Sequence, residues 1–547
     1  MNATLLLLFG IAWLVFAYFW YGRIIDRRVI HTDPGIDTPS KTEYDGQDYV
    51  PTHPMVLFGH HFSSIAGAGP IVGPILALSM FGWLPALLWL LLGAVFMGAV
   101  HDYTSLMASV RSRGTSITEI AATAVSPTAR TLFAIFAWLL LVLVQAVFAD
   151  LTARTLVEAP TIVVPTFSVI AIAVLFGYAV YRRGLHLALG TVIALLLLFG
   201  AILLGYELPI HASYEFWLVL IVLYAFIAAT LPVWALLQPR DYISVYVLIG
   251  GMALGLIGMF VAQPDINAPA WLGSFISGSG EPLFPMLFIT VACGAVSGFH
   301  SIVASGTTAK QLRTEKEGRF VAFGSMLTES VLGILVITMV AGLLVWNGSD
   351  PATGFQELLH RSANIVFGAA LGNAAAAVGI PVAVGMSFGI LMINAFILTT
   401  LDTTVRLSRY IVQETLGIRY GGVFSNRYLA AAGGLVIALL LCLNDGYKAL
   451  WPVFGSSNQL IAALALFVVT AYWAGFKRPR LYTLLPAIFM LVVTEAALVY
   501  QVFWLYFPRG QWLLLVISIV LMILGLIVAY ESWKSLRLGR TDALVRH

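Results

Sequence analysis

Acidic side chains stand in several strongly apolar stretches of this chain, where they could bind and release a cation. Asp102, Glu329 and Asp402 each lie in such a stretch, and a charge at the centre of a membrane helix costs about 2.5–3.5 kcal/mol on insertion scales. Glu329 has no cation at helical spacing, so it is the strongest candidate for carrying a proton. Asp402 could instead form a structural ion pair with Arg406, four residues later. Asp102 could also cap its helix or pair with neighbours. We treat all three carboxylates as candidate ion-coupling residues.

Histidines in apolar surroundings form a second group of candidates, because imidazole titrates near neutrality. His60 and His61 are adjacent, and His300 lies between two serines. Gating or proton relay is one role for the three, and local hydrogen bonding is the other. Neighbouring residues on a helix point about 100° apart, so His60 and His61 cannot face one site equally. Zinc needs three or four ligands, so we predict no metal site.

The stretch "GHHFSSIAGAGPIVGP" (residues 59–74) combines a membrane-like setting with residues that form helices poorly. An interior proline costs about 3 kcal/mol and a glycine about 1 kcal/mol relative to alanine. Irregular backbone survives at membrane depth only where protein buries it or where it lines a wet cavity. The pattern predicts an interrupted helix, with a simple proline kink at a small-residue packing face as the alternative.

Composition places these stretches in a membrane. The 547 residues are 60% hydrophobic and 10% charged, whereas a soluble domain carries about 25% charged residues. A net charge of +3 gives no reason to expect a nucleic-acid partner. The first apolar segment has no basic residues before it and no small-residue cleavage site after it, so we expect an uncleaved helix.

The elements that must position these residues are about 15 transmembrane helices, since each span needs about 20 mainly apolar residues. With the N-terminus outside and the C-terminus inside, nearly all of the 29 Lys and Arg residues fall on the inner side, as the positive-inside rule requires. We divide the chain into an N-terminal helix and cytoplasmic loop (1–54), a ten-helix core (55–412) and about four C-terminal helices (413–547).

A second predicted helix interruption in the core is the proline-containing segment "LPVWALLQPRDY", in which Pro232 follows shortly after Thr230. Five predicted spans separate it from the first interruption, so the two helices cross in opposite directions. This arrangement predicts an inverted repeat of five plus five helices (about 55–206 and 215–405), with a substrate site between two interrupted helices.

The segment "ACGAVSGFHSIVASGTTAKQ" lies in a span predicted at 283–308 and repeats serine every four residues. On one continuous helix Ser297, Ser301 and Ser305 would form a stripe of hydroxyl groups. Close helix packing is one explanation. The other is a cation site formed with backbone carbonyls at the first break, such as that of Ala66.

Five long blocks together resemble the carbon starvation protein CstA family, in that family's order. They are the three segments quoted above, "LTTLDTTVRLSRYIVQE" and "WPVFGSSNQLIAALAL". The resemblance implies the leucine-transporter (LeuT) fold and an inner-membrane carrier for peptides or for pyruvate during carbon starvation, the latter with protons. Matching the blocks residue by residue also implies a set of substrate-binding residues: Ser63, Ser64, Gly67, Gly69, Pro70, Thr230 and Pro232. It likewise implies a functional role for the three serines of the stripe.

We therefore expect an ion-coupled symporter of the inner (plasma) membrane, not an enzyme and without a cofactor, coupled to H⁺ or Na⁺. Its partners would be a small-molecule substrate, the coupling cation and the lipid bilayer. A channel is the main alternative, although the charged residues are too scattered for a continuous polar pore. A membrane hydrolase using His60, His61 and Ser63 or Ser64 is a weaker one, because a third triad member is lacking.

Overall fold

The computed structural model describes residues 1–46, 48–231, 236–272, 280–348, 350, 353–417, 420–444 and 447–538. Within these ranges the chain is helical, with three isolated β-bridges, Asn2–Asp265, Thr52–Leu312 and Val345–Gly354. In lipid a helix satisfies its backbone polar groups internally, which explains this architecture. The predicted site residue Pro232 lies outside the described residues.

The first half of the chain contains twelve α-helices. They are α1 (Ala3–Ile25), α2 (Pro39–Thr42), α3 (Pro54–Ile65), α4 (Gly69–Phe81), α5 (Trp83–Gly93), α6 (Ala99–Arg111), α7 (Ile117–Ala124), α8 (Pro127–Glu158), α9 (Val163–Gly177), α10 (Leu187–Glu207), α11 (Tyr214–Thr230) and α12 (Leu237–Ala262).

The second half continues with shorter pieces and then long helices again. They are α13 (Leu283–Thr290), α14 (Ala292–Ala295), α15 (Gly298–Gly306), α16 (Gly324–Leu343), α17 (Phe355–Arg361), α18 (Ala363–Ala377), α19 (Val382–Val412), α20 (Arg427–Asn444), α21 (Tyr447–Gly475), α22 (Leu481–Tyr500) and α23 (Trp512–Leu538). Single π-helical turns extend several of them, for example Ala94–Gly98 between α5 and α6 and Arg319–Phe323 before α16.

Eleven described helices are long and apolar enough to cross a membrane, or twelve if the bent pair α3–α4 counts as one span. Three shorter apolar helices, Tyr214–Thr230, Ala363–Ala377 and Arg427–Leu443, accompany them. The expectation of an all-α polytopic membrane protein is therefore confirmed. The total of 15 spans and the sides of the two termini stay predictions.

The predicted interruption in residues 59–74 is confirmed as the first break, which we define as residues 66–68. Helices α3 and α4 meet there at 45°. Ala66 has φ −77° and ψ 64°, and Gly67 N donates to Ile65 O at 2.9 Å instead of continuing the helical ladder. Helix α4 then begins after Ala68, which supplies no side-chain cap.

The span predicted to be continuous over 283–308 is interrupted, which corrects the sequence-based expectation. We define residues 291–297 as the second break, because Val291 leaves the helical region at φ −93°, ψ 58° and Val296 is extended at φ −154°, ψ 132°. No proline marks this place, so the sequence pattern did not reveal it.

The two breaks lie against each other. A side chain on Gly69 would collide with Cys293, and a Cβ on Gly73 would lie 2.6 Å from Thr290 O. The absence of side chains at these two glycines therefore allows the backbones to approach closely. The start of α4, just after the first break, thus packs against the second break and the end of α13, and Thr230 ends α11.

Helix α21 lies beyond the predicted core boundary at residue 412, yet it is wholly enclosed by other helices along its membrane-crossing part. It packs against α8, α15, α22 and α23. A glycine contact brings it especially close to the second break: a Cβ on Gly298 would lie 2.6 Å from Ala462 N. The buried part of the molecule thus reaches residue 475.

The segment that follows α1 is held against the end of α6. Glu315 is fully buried, and its two carboxylate oxygens accept hydrogen bonds from Arg111 Nε and Nη2, both at 2.9 Å. Asp33 N donates to the same carboxylate at 2.9 Å. One buried ion pair therefore joins the predicted cytoplasmic loop to the helical core.

Candidate functional site

Asp102 lies on α6 at the centre of a buried hydrogen-bonded group. His101 Nδ1 is 2.7 Å from Asp102 Oδ1, and His300 Nδ1 is 2.8 Å from Asp102 Oδ2. When Asp102 is ionised it only accepts hydrogen bonds, so each imidazole then donates from Nδ1. Asp102 thereby leaves Nε2 of His300 free to act as a base.

Glu329 lies on the other side of the same imidazole. Its Oε2 atom is 3.3 Å from His300 Nε2, and Asp102, His300 and Glu329 are all fully buried. The three residues come from α6, α15 and α16. We call Asp102, His300 and Glu329 the relay, because a proton can pass between the Glu329 carboxyl group and His300 Nε2 while Asp102 holds the ring in place.

Sequence reasoning selected each member of the relay separately but not their contact. Asp102 and His300 are 198 positions apart, and the folded chain alone brings them together. The break at 291–297 contributes directly, because α15 starts at Gly298 and His300 therefore lies in its first turn.

Asn458 on α21 was not among the predicted site residues, although the block that contains it was. Its Oδ1 accepts from Phe299 N at 3.0 Å and from Ser297 Oγ at 3.2 Å. Its Nδ2 donates to Ser297 Oγ at 3.1 Å and to Cys293 Sγ at 3.4 Å. Asn458 thus bonds to residues of the second break and to the first turn of α15.

The predicted hydroxyl stripe is wrong as a single helical face. Ser297 has an extended backbone, φ −138° and ψ 125°, and precedes α15. The other two hydroxyls serve the backbone: Ser301 Oγ donates to Gly298 O and Ser305 Oγ donates to Ser301 O, each at 2.7 Å. Ser305 Oγ also accepts from Ile117 N at 3.0 Å. These bonds stabilise the start of α15 and its contact with α7.

The predicted substrate residues of the first break occupy one short region. Ser63 Oγ and Ser64 Oγ donate to His60 O at 3.1 and 2.8 Å. The described bonds of the two serines therefore run to a backbone carbonyl. A hydrolase would need one of these hydroxyls to bond to an imidazole instead. Gly67 is tightly surrounded, since a Cβ there would lie 3.0 Å from Thr400 Oγ1 and 3.1 Å from a ring carbon of Phe148.

Thr400 on α19 and Phe148 on α8 are therefore site candidates that the sequence did not single out. Thr400 is 2% exposed, and its Oγ1 has no hydrogen-bond partner among the described residues. Pro70, the second residue of α4, lies close to Gly294 of the second break, at 3.6 Å from the position of a Cβ there. Together they line the space around the first break.

The two adjacent histidines on α3 contact different elements, as their helical spacing predicts. His60 Nδ1 is 3.9 Å from Asp241 Oδ2 on α12. A hydrogen bond of 2.8 Å joins His61 Nδ1 to Thr308 Oγ1. Both contacts hold α3 against its neighbours.

Asp402 does not pair with Arg406, contrary to one reading of the sequence. Its partners are Arg240 Nη1, which forms a close ion pair with it, and Tyr224 Oη, which donates at 2.9 Å. Arg406 Nη2 donates instead to the carbonyls of Ala228 and Leu231 at 3.1 and 2.7 Å. Asp402 therefore connects α19 to α11 and α12.

Thr230 lies at the end of α11, where its Oγ1 donates to Ile227 O at 2.8 Å. This intrahelical bond is a common use of a threonine hydroxyl. Gly67 and Gly69, at the first break, lie against Phe148 of α8, Cys293 of α14 and Thr400 of α19.

Comparison with known proteins gives consistent similarities along the whole chain. Residues 2–353 and 352–497 match the family described as "Carbon starvation protein CstA". The chain is 33% identical over 579 residues to the pyruvate/proton symporter BtsT of Escherichia coli, a match covering 89% of this chain and 80% of that protein. It is 33% identical over 591 residues to the peptide transporter CstA of Bacillus subtilis, covering 98% of each.

A solved structure with a similar fold is a manganese transporter of Eremococcus coleocola. The TM-score is 0.52 at 12% sequence identity, covering 90% of this chain and 99% of that one. At this identity the likeness concerns the fold alone. It agrees with an all-α transporter architecture.

Proposed function

The chain belongs to the carbon starvation protein CstA family, and on that premise we propose that it is a proton-coupled secondary transporter that imports pyruvate or small peptides. It is a multi-pass protein of the inner (plasma) membrane, and its relatives are peptide transporters and a pyruvate/proton symporter. The observation that carries the proposal is the buried relay of Asp102, His300 and Glu329.

The relay suits a proton better than a metal cation. Asp102 accepts the Nδ1 protons of two imidazoles, so its oxygens are already engaged. The remaining pair, His300 Nε2 and Glu329 Oε2 at 3.3 Å, can share one mobile proton. When that proton leaves, two carboxylates flank a neutral ring in a buried site, which is costly. Release is therefore tied to a conformation in which water reaches the relay.

The first break supports binding of the substrate's carboxylate, a group that pyruvate and peptides share. Helix α4 begins there without a side-chain cap, and helix N-termini favour anions. The unpartnered Thr400 Oγ1 lies at the same place, where it can donate a hydrogen bond. The adjacent second break connects this position to the relay through α15.

We also propose a revised five-plus-five repeat. Helices α3–α10 would form the first set and α13–α21 the second, with α11 and α12 inserted between them. Each set begins with an interrupted helix, and the third span of each is long, 32 residues in α8 and 31 in α19. This pairing replaces the predicted second repeat at 215–405 and keeps 15 spans with the N-terminus outside.

Reconstitution into sealed vesicles tests the proposal. Labelled pyruvate and a labelled dipeptide are supplied outside, with an imposed pH gradient, an imposed sodium gradient or neither. We expect accumulation when the outside is acidic and none from sodium alone. Accumulation driven by sodium would contradict proton coupling, and rapid dissipative flux that ignores both gradients would favour a channel.

A further inference from the structure

We propose that Asn458 is a positioning residue that keeps proton movement linked to substrate movement, an inference that rests on the proposed function. Asn458 lies on α21, outside the relay, and is fully buried. One side-chain amide bonds to both ends of the second break. It contacts Cys293 near the start of the break, Ser297 at its end and Phe299 in the first turn of α15.

The contact after the break determines where His300 lies. Phe299 N is one of the free N–H groups at the start of α15, and Asn458 Oδ1 caps it from another helix. Gly298 allows this approach, because a Cβ there would lie 2.5 Å from Ile461 Cβ. The first turn of α15 is therefore anchored to α21, and His300 belongs to that turn.

The contact with Cys293 leads to the substrate side. Asn458 Nδ2 donates to Cys293 Sγ at 3.4 Å, and Cys293 lies against Gly69 at the start of α4. A displacement of the first break on substrate binding is thus transmitted through Cys293 and Asn458 to the turn that carries His300. Without the amide, the two halves of the broken helix could move independently.

The test measures how many protons accompany each substrate molecule. Vesicles contain a pH-sensitive dye, and labelled pyruvate or dipeptide, whichever the wild-type protein transports, is added outside. We expect Asn458→Leu to reduce the proton-to-substrate ratio about tenfold, the effect expected when a buried hydrogen-bonded group is removed. Downhill substrate flux should persist and should lose its dependence on external pH.

The neighbouring amide is a matched control. Gln459 Nε2 donates to Phe288 O in α13, so it bonds to the same broken helix but not to the turn of His300. Gln459→Leu should leave the proton-to-substrate ratio and the pH profile unchanged. If it changes the ratio as much as Asn458→Leu does, the effect is general loosening of the helix and the inference is wrong.

Two further variants keep the test decisive if Asn458→Leu fails to reach the membrane. Asn458→Asp retains the oxygen that accepts from Phe299 N but loses the donor to Cys293, so the ratio should fall only partially. Ser297→Ala removes only the hydroxyl contact and should lower the ratio partially. Full coupling in Asn458→Leu, or in both Asn458→Asp and Ser297→Ala, would overturn the inference. Substrate uptake without proton movement in the wild-type protein would instead contradict the proposed function itself.

Discussion

At the scale of residues, the environment of His300 separates the roles of two carboxylates. Asp102 accepts hydrogen bonds on both of its oxygens, whereas neither oxygen of Glu329 has a hydrogen bond among the described residues. Asp102 is thus suited to orient the imidazole, and Glu329 is suited to exchange a proton. The distinction follows from geometry, because both side chains are equally buried.

Replacing Glu329 should therefore abolish proton-driven accumulation. Glu329→Gln keeps the size of the side chain but removes the exchangeable proton, so uphill uptake should fall by at least about a hundredfold, as expected for the loss of a general acid–base group. Exchange of labelled for unlabelled substrate at equal concentrations should continue, and vesicle assays measure both. Glu495→Gln is the control, since Glu495 lies on α22 against Gly525; an equal loss there would contradict a specific role for Glu329.

A glycine at the first break gives a second test at this scale. Gly67→Leu would place a side chain into Thr400 and Phe148, so we expect uptake to be lost while the protein still reaches the membrane. Gly200→Leu is the matched control, because a Cβ at Gly200 has no described atom within 4 Å. Membrane content by immunoblot and uptake by labelled substrate are the measurements. Normal uptake by Gly67→Leu would place the substrate elsewhere.

At the scale of elements, buried ion pairs determine which helices move together. The pair Arg240–Asp402 joins α12 to α19, and both side chains are almost fully enclosed. A buried charge left without its partner is strongly destabilising, by about 3–5 kcal/mol. Helix α12 is therefore attached to α19 and is not a loose addition.

Removing one partner should consequently cost more than removing both. We expect Arg240→Leu to lower the free energy of unfolding by about 3–5 kcal/mol and Arg240→Leu/Asp402→Leu to recover part of it, because buried Asp241 still loses its bond from Arg240 Nη2. Thermal unfolding in detergent measures this. If transport in the stable double variant is still proton-driven, Asp402 is structural; if coupling is lost, Asp402 belongs to the ion pathway as the sequence analysis proposed.

The sequence revealed one break and concealed the other for a physical reason. The first is followed by Pro70 and Pro74, which lack a backbone N–H and so indicate an interrupted helix from the sequence alone. The second has only small residues. Its extended backbone is held by the bonds to Asn458 and by the close packing of Gly298 against α21. Tertiary contacts of this kind have no local signature.

The same limit applies to the site. Buried charges are conspicuous in an apolar sequence, so Asp102 and Glu329 could be selected by cost alone. Their contact with His300, itself a candidate from the sequence, could not be predicted, because only helix packing brings the imidazole between them. For Asp402 the sequence suggested a partner that the fold does not use. Arg406 lies four residues later on the same helix face, but Asp402 pairs with Arg240.

At the scale of the whole molecule, the charge of the substrate determines which gradient drives its uptake. One proton moving with one pyruvate anion transfers no net charge, so only the pH difference contributes. A tenfold concentration ratio corresponds to about 1.4 kcal/mol, the free energy of one pH unit. A zwitterionic dipeptide that moves with one proton carries one net positive charge. The membrane potential then adds about 2.3 kcal/mol of driving force per 100 mV.

This yields a prediction about membrane potential. In vesicles with a potassium diffusion potential, negative inside, and no pH difference, dipeptide accumulation should rise roughly 50-fold per 100 mV, whereas pyruvate accumulation should not change. Ion-selective electrodes and labelled substrate report the two quantities. Potential-driven pyruvate uptake would indicate more than one cation per anion.

The meeting of the two breaks at Cys293 has a practical consequence. The chain has only two cysteines, and the other, Cys442, donates to Ala146 O within a different helix contact. In a Cys442→Ser background the remaining thiol is a built-in reporter, shielded while the breaks touch and open to alkylation when they part. The rate of labelling by a small maleimide would then report the population of the open state, with and without substrate, in cells that express this variant.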